Sequence, residues 1–467
     1  MNCLMDRFAL KVSVRDGGDA ARMAPELAAA LGVHQDRPLD LRFGLRKAEA
    51  PLEISRDLPT DQLLLPHTVA AQLSITGPLQ VSAMPAGSRA VALGPLVALL
   101  ISQAKLAALL EGKMDSIYCR YAAYAREAGG LLLFLTVDGL DAGSLTARGH
   151  VHPGHKGGAC AWAAVEMPFP GILYDRCFGY AGREEAAKAR EIARQAGATV
   201  INRPVKITKL QAFGVLEQYP ELAPHLPYTA LVTPSALTDA MARYEDLYLK
   251  PDALYKGKGV YRLTRQGGQW LLKSREEWGN WEQRFTSADE LTVRLEGLLP
   301  PEDRYLMQEG LPLATYMGNR FDFRSLVQRD GRGRWVVSGM VARVAPDGSV
   351  ITSPRSGGQV ATAEQVLRHA FPEHWRAVLS DLEESSILLA DRVDRHLGPC
   401  AELGLDVGVV RDGAVKLIEV NGKPLRVSLS RLGDPLVEER IHRYPIHFAA
   451  HLDLRGERDA SGHPEGD

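Results

Sequence analysis

The chain has 467 residues, a formal net charge of −2, a hydrophobic fraction of 45% and a charged fraction of 24%. This is the balance of a water-soluble globular protein, and the length calls for roughly two to four domains. No Lys/Arg block marks a nucleic-acid surface, and the apolar run Val91–Leu100 has about half the ~20 residues that span a bilayer, so neither nucleic acid nor membrane is an expected partner.

Met1–Leu10 mixes Asp6 and Arg7 into its apolar residues and does not read as a secretory leader. Cys3, Cys119, Cys160, Cys177 and Cys400 are scattered, with no CxxC pair, and are expected as reduced thiols of a cytoplasmic protein. In chain order, residues 1–92 hold short apolar runs broken by Pro and Gly, with one Ala-rich helix near Ala20–Leu31. They predict a small β-rich N-terminal domain.

From about residue 93 to 203 the pattern predicts a second domain. Val91–Ile101 reads as one buried strand, Ile117–Ala128 as a helix, Leu131–Val137 and Gly171–Tyr174 as strands, and Arg183–Gln195 as a helix that stops at Gly197. Strands alternating with helices imply βαβ units and a parallel sheet. Within it, His150, His152 and His155 have metal-like spacing, but no carboxylate stands beside them. Tyr174, Asp175 and Arg176 close a strand, where open α/β sheets meet ligand; a substrate-side role and a plain Asp–Arg pair both stand open.

Beyond Pro204 the pattern becomes α+β. A helix over Lys209–Glu217, a strand Leu247–Lys250, a Gly/Lys-rich loop, a strand Val260–Thr264, a helix Ala288–Leu298 and a strand Tyr305–Glu309 are expected. Hairpin strands fill 321–352, and a helix over His374–Leu397 places Trp375, Leu379, Leu382, Leu389, Val393 and Leu397 on one stripe. The tail from Arg455 is polar and expected to fray.

The last hairpin, 402–421, carries the clearest chemistry. Leu403, Leu405, Val407 and Val409 alternate with Gly404, Asp406 and Gly408, and Asp412-Gly413 reads as a two-residue turn. Counting outward from that turn pairs Val410 with Val415 and sets Asp406 opposite Glu419, with Asn421 on the same face. Opposed acids destabilise a sheet unless something neutralises them. Two carboxylates and an amide oxygen suit a hard divalent cation.

Lys209, "LKP" at 249–251, "KGKGV" at 256–260, "MQEGL" at 307–311, "FDFR" at 321–324, Arg343 and "LDVGV…IEVNGKP" at 405–424 together resemble an ATP-grasp fold. "GILYDR" at 171–176 and "SGGQV" at 356–360 narrow the resemblance to the YheC/YheD-type endospore coat-associated ATP-grasp proteins. It covers roughly 93–450. The implied architecture is α/β and α+β multidomain: the N-terminal domain (1–92), a parallel α/β pre-grasp domain (93–203), an ATP-grasp N-terminal lobe (204–304), a C-terminal lobe with the metal site (305–454) and a tail (455–467).

The resemblance implies ATP and Mg²⁺ as cofactors, with Asp406, Glu419 and Asn421 as metal ligands. Lys209 and Lys250 are implied on the phosphates, and Tyr255, Lys256, Gly257, Lys258, Gly259 and Val260 as a loop covering them. That loop departs from the family pattern, since Asp252, Leu254 and Tyr255 stand where small residues are usual. Gln308, Glu309, Gly310 and Leu311 are implied as a hinge whose backbone reads adenine. Arg324 and Arg343 are implied as catalytic guanidiniums facing the γ-phosphate or an acyl phosphate, and "SPRSGG" at 353–358 as a contact to the acceptor or a turn. The implied activity joins a small-molecule or peptide carboxylate to an amine through an acyl phosphate, with spore-coat association. Two other readings use the same residues: a spore scaffold protein that binds nucleotide without turnover, and a kinase that stops at phosphoryl transfer.

Overall fold

The computed structural model describes residues 8–456 except 88, 114, 153–161, 204–206, 253–258, 277–278, 300–303, 347–351 and 353–356. Pro95 divides the run that reads as one strand: Ala90–Gly94 and Leu96–Leu100 are separate strands in different sheets. Proline brings no N–H to a ladder and fixes its own φ, so a central strand cannot run through it.

Among the described residues the strands form four sheets. The first, eight-stranded, lies between Phe8 and Gly94 and carries the helix Pro25–Leu31, which starts later than its Ala-rich composition suggests because Ala21–Met23 is a strand. In the second sheet Leu96–Leu100 runs parallel to Leu131–Leu135 and to Ile172–Asp175, which in turn runs parallel to Thr199–Ile201. These strands are apolar apart from Asp175 and Thr199 at their ends, because both faces are covered. Leu96, Ala98 and Leu100 join the core of the first sheet, whereas Val97 and Leu99 meet Ile446, Phe448 and Ala449 of the last helix, Pro435–Arg455. That helix therefore ties the end of the chain to the second sheet. Of the polar tail only Arg455 and Gly456 lie within the described residues.

The third sheet is antiparallel: Thr229–Leu231, Tyr305–Glu309, Asp246–Pro251, Tyr261–Gln266, Gln269–Glu276 and Gly279–Phe285 follow one another across it. The fourth runs Gln359–Ala361, Trp335–Val344, Asn319–Arg329, Glu402–Val409, Val415–Asn421, also antiparallel. Its odd-numbered face, Leu403, Leu405, Val407 and Val409, packs on Val378, Leu382, Leu389 and Val393 of the helix Trp375–Leu397. The even-numbered face is left for polar groups.

Cys177 and Cys400 are free and buried, but Cys119 is disulfide-bonded. The expectation of five reduced thiols is thus corrected; spacing along a chain does not report which cysteines meet in space. No helix among the described residues is long and apolar enough to cross a membrane.

Candidate nucleotide and metal site

The C-terminal hairpin opposes Asp406 to Glu419 and Gly404 to Asn421. The turn-based register is nonetheless wrong at its start. Pairing begins at Val409–Val415, because Val410 N–H donates to the Ala414 carbonyl across a longer loop closed by Gly413 at φ 93°. A bulge at Ile418 then adds one residue and restores the count. Without it Glu419 would point to the opposite face, since a one-residue slip exchanges the faces of a strand. The bulge is what brings the two acids together.

Glycines alternate with Asp406 because neighbours press on that face. A Cβ at Gly404 would lie 2.6 Å from Pro424 Cβ, and one at Gly408 would lie 2.4 Å from Leu313 Cδ2.

Protein cations lie against both acids. Asp406, 5% exposed, accepts Arg324 Nε at 2.5 Å and Nη2 at 3.0 Å, and Arg343 Nη2 lies 3.1 Å away. Arg343 also holds Asp322 in a fork, at 2.6 and 2.8 Å, and Thr352 donates to Asp322 at 2.5 Å. Burial raises the Asp406 carboxyl's pKa, but Arg324 and Arg343 outweigh it and hold the group below its ordinary value. Asp322 pairs with Arg343, directly opposite it on the neighbouring strand, rather than with Arg324, two residues away on its own strand. The protein partners of Arg343 are thus the carboxylates of Asp322 and Asp406.

Lys209 Nζ lies 3.5 Å from Glu419 and donates to the Pro251 carbonyl at 3.2 Å. It opens the helix Lys209–Leu216, capped by Thr208 and Gln211, while Asp252 accepts the Leu210 amide at 2.9 Å. Lys250 donates to Gln308 Oε1 at 2.6 Å, and Gln308 Nε2 is anchored on Thr229 at 3.1 Å. Burial, opposed by the charges of Glu419 and Asp406 and aided by that of Lys209, brings Lys250 down to about 8. Both lysines and both acids thus converge. Sequence reasoning gave Gln308 no side-chain role; a buried Gln opposite Tyr248, two residues from Lys250 on the neighbouring strand, was the available signal.

Two of the four expected hinge amides are spent within the sheet: Glu309 N–H donates to Tyr228 and Gly310 N–H to Asp246. Leu311 lies beyond those pairings. Gly310 is required, since a Cβ there would fall 2.1 Å from Asp246 Cγ, itself clamped by Arg262. Tyr255, Lys256, Gly257 and Lys258 lie outside the described residues, as do 353–356 and His155. Of the loop, Gly259 adopts φ 68°, and Val260 accepts Ser274 Oγ through its carbonyl at 3.2 Å.

The donor set fits Mg²⁺. Asp406 and Glu419 face each other, each carboxylate oxygen has two lone pairs, and Asn421, opposite Gly404, carries an amide oxygen of the kind Mg²⁺ takes; its Nδ2, a buried donor without a partner, can meet only an acceptor such as a phosphate oxygen. Among the described residues no cluster of three His, Cys, Asp or Glu is present, so the amide is needed to complete the set.

A second polar centre escaped sequence reasoning. Glu402, wholly buried, accepts Tyr174 at 2.8 Å, Arg176 at 2.5 Å, Gln328 at 2.9 Å and Arg426 at 2.6 Å. Asn202, at φ 59°, bonds the Glu402 and Gly422 carbonyls at 2.9 Å each. Asp175 pairs with Lys423 at 2.6 Å and lies 3.7 Å from Arg190, so the Asp175–Arg176 pair is replaced by two longer-range pairings.

Residues 197–452 match the model of the "YheC/D like ATP-grasp" family. The chain is 23% identical over 401 residues to the endospore coat-associated protein YheD of Bacillus subtilis (strain 168), covering 84% of this chain and 83% of that one. It is 24% identical over 298 residues to YheC of the same organism, covering 62% and 80%. Among solved structures, D-alanyl-alanine synthetase A of Vibrio cholerae O1 aligns with TM-score 0.41 and 13% identity over 78% of this chain and 100% of that one.

Proposed function

Since the chain belongs to the YheC/D-like ATP-grasp family, we propose that it is an ATP- and Mg²⁺-dependent carboxylate–amine ligase that forms ADP and a C–N bond. The observation that carries this reading is the convergence of Asp406, Glu419, Lys209 and Lys250 on one face, with the Asn421 amide beside them.

Asp406, Glu419 and Asn421 would hold Mg²⁺, which when bound neutralises phosphate charge. Lys209 and Lys250 bind phosphate oxygens as compact point charges, and Gln308 fixes the Lys250 ammonium. The family resemblance assigns Tyr255–Val260 to the phosphates, with Tyr255–Lys258 outside the described residues, and Gln308–Leu311 to the base. A substrate carboxylate oxygen bonds to the γ-phosphorus as the bond to ADP breaks. The amine then attacks the acyl carbon, phosphate leaves, and the amine's proton is released. Arg324, 14% exposed against 8% for Arg343, is the more accessible guanidinium of the two and steadies the transferring group. Arg343 keeps Asp406 ionised and aligned. No side chain acts as nucleophile; positioning and charge carry the rate.

Steady ADP release that requires both an added carboxylate and an added amine, and that disappears in Glu419→Ala, is the expected result. The second reading, nucleotide binding without turnover in the spore coat, draws on the names of the two relatives and on an Asp406 already satisfied by two arginines. Thermal stabilisation by Mg-ATP with no ADP release from any carboxylate and amine pool would favour it. Acyl phosphate accumulating without amide product would identify a kinase. The same reading assigns a cytoplasmic location with spore-coat association.

A further inference from the structure

The Mg²⁺ hairpin leads directly into a second group of charges. Lys423 stands two residues beyond Asn421, a span of at most ~7 Å of extended chain, and reaches Asp175 at 2.6 Å. Asp175 ends the strand Ile172–Asp175, opposite Leu100, the last residue of its parallel neighbour. Both strands release their chains on the same edge: one toward Arg176 and Phe178, the other toward the helix Gln103–Leu110 that carries Lys105. This is the carboxyl edge of an open parallel sheet, where such sheets bind ligands.

The charge there is unbalanced. Asp175 is shared by Lys423 and Arg190, and Glu402 by Arg176 and Arg426. Lys105 has no carboxylate partner among the described residues, although it is partly buried and feels the like charges of Arg176 and Lys423. Of the other acids nearby, Glu185 acts on the Cys177 thiol and Asp138 accepts from Gln103. Lys105 Nζ and the Arg176 guanidinium instead lie 4.4 and 4.7 Å from the Phe178 ring centre. Crowded cations with one ring between them are relieved by an anion, and Arg176 keeps 14% of its side chain exposed to receive one.

We propose that Lys105, Arg176 and Lys423 form a carboxylate-binding site that holds an acidic group of the substrate beside the Asp406–Glu419–Asn421 face. The word substrate rests on the ligase reading; the anion site itself does not. Arg176 offers a planar fork matched to a carboxylate, and the two lysines add point charges around it.

The test is calorimetric titration of the full-length protein with succinate, with its uncharged diamide and with inorganic phosphate, alongside Mg-ATP as a separate ligand. Saturable succinate binding is expected in the wild type and in Lys105→Arg. Lys105→Met should weaken it about tenfold or more, the loss that one charge-assisted hydrogen bond represents, and leave Mg-ATP binding unchanged. The diamide should not bind. Absence of succinate binding, equal binding by Lys105→Met, or binding of phosphate alone would each overturn the proposal. Succinate binding without any turnover would leave this site standing and sink the ligase reading; normal turnover with no succinate binding would do the reverse.

Discussion

Glu402 and Asp406 are two carboxylates on one face of one strand, four residues apart, and they are built to different ends. Glu402 is closed: four side chains donate to it, and nothing of it is exposed. Asp406 is gripped by two arginines but looks across the ladder at Glu419, whose side chain is 27% exposed, and its other neighbour on that face is an Asn421 with an unsatisfied amide. A buried charge with every lone pair taken is a structural joint. One flanked by a half-buried acid and an amide N–H without a partner leaves room for a ligand. The joint also unites distant parts of the chain, since Tyr174 and Arg176 come from the second sheet and Arg426 from the segment just beyond the hairpin.

The sharpest way to break this comparison is Glu402→Ala. It strands Arg176 and Arg426 in the interior, and a loss of about 3–5 kcal/mol in urea-unfolding stability is expected. Asp406→Ala should cost less, about 1–3 kcal/mol, because Arg343 keeps Asp322, yet it should abolish Mg-ATP binding. If the two variants were equally destabilised, the distinction between joint and site would fail. Glu419→Ala should cost under about 1 kcal/mol, since its pairing with Lys209 is partly solvated, while ADP release disappears. A Glu419→Ala protein that turns over normally would show that this face is not the site.

The two regions should respond to pH with the same sign but in separate windows. Burial, and next the charge of Arg426, push His442 down to about 4. Between about 6.5 and 4 the unfolded chain therefore carries a proton that the native one refuses, and stability should fall as pH drops through that window. Burial raises Glu402, but Arg426 and Arg176 outweigh it and hold the group at about 2. A further loss should follow from about 4.5 toward 2. Lys250 is lowered to about 8, chiefly by burial, so between about 8 and 10.5 the unfolded chain binds the extra proton and stability should rise with pH. Over the same range Mg-ATP affinity should fall as the ammonium is lost. Chemical denaturation from pH 3 to 10 in wild type and Lys250→Met measures the stability changes, and calorimetric Mg-ATP titration over the alkaline range the affinity; an unchanged alkaline slope in Lys250→Met would remove Lys250 as the cause.

Much of the candidate site was legible because strands have a period of two. Alternation placed Leu403–Val409 toward a core and Asp406 away from it, and the motif order along 209–424 pointed to the fold. The opposed pair Asp406–Glu419 was reached by arithmetic in which two one-residue errors cancelled, a longer loop and the bulge at Ile418. Neither has a signature in residue types alone, because a bulge is selected by how the whole strand packs.

By itself the sequence determined the order of elements, the apolar faces and the residues available to a nucleotide, since those depend on local periodicity and on which side chains exist. The tertiary structure alone decided the partners. It gave Arg343 to Asp322 and Asp406, Lys250 to Gln308, and Glu402 to Tyr174 and Arg176 more than 200 positions earlier. Ion pairs form between residues that register and packing bring within about 3 Å of each other, and no separation along a chain encodes that distance.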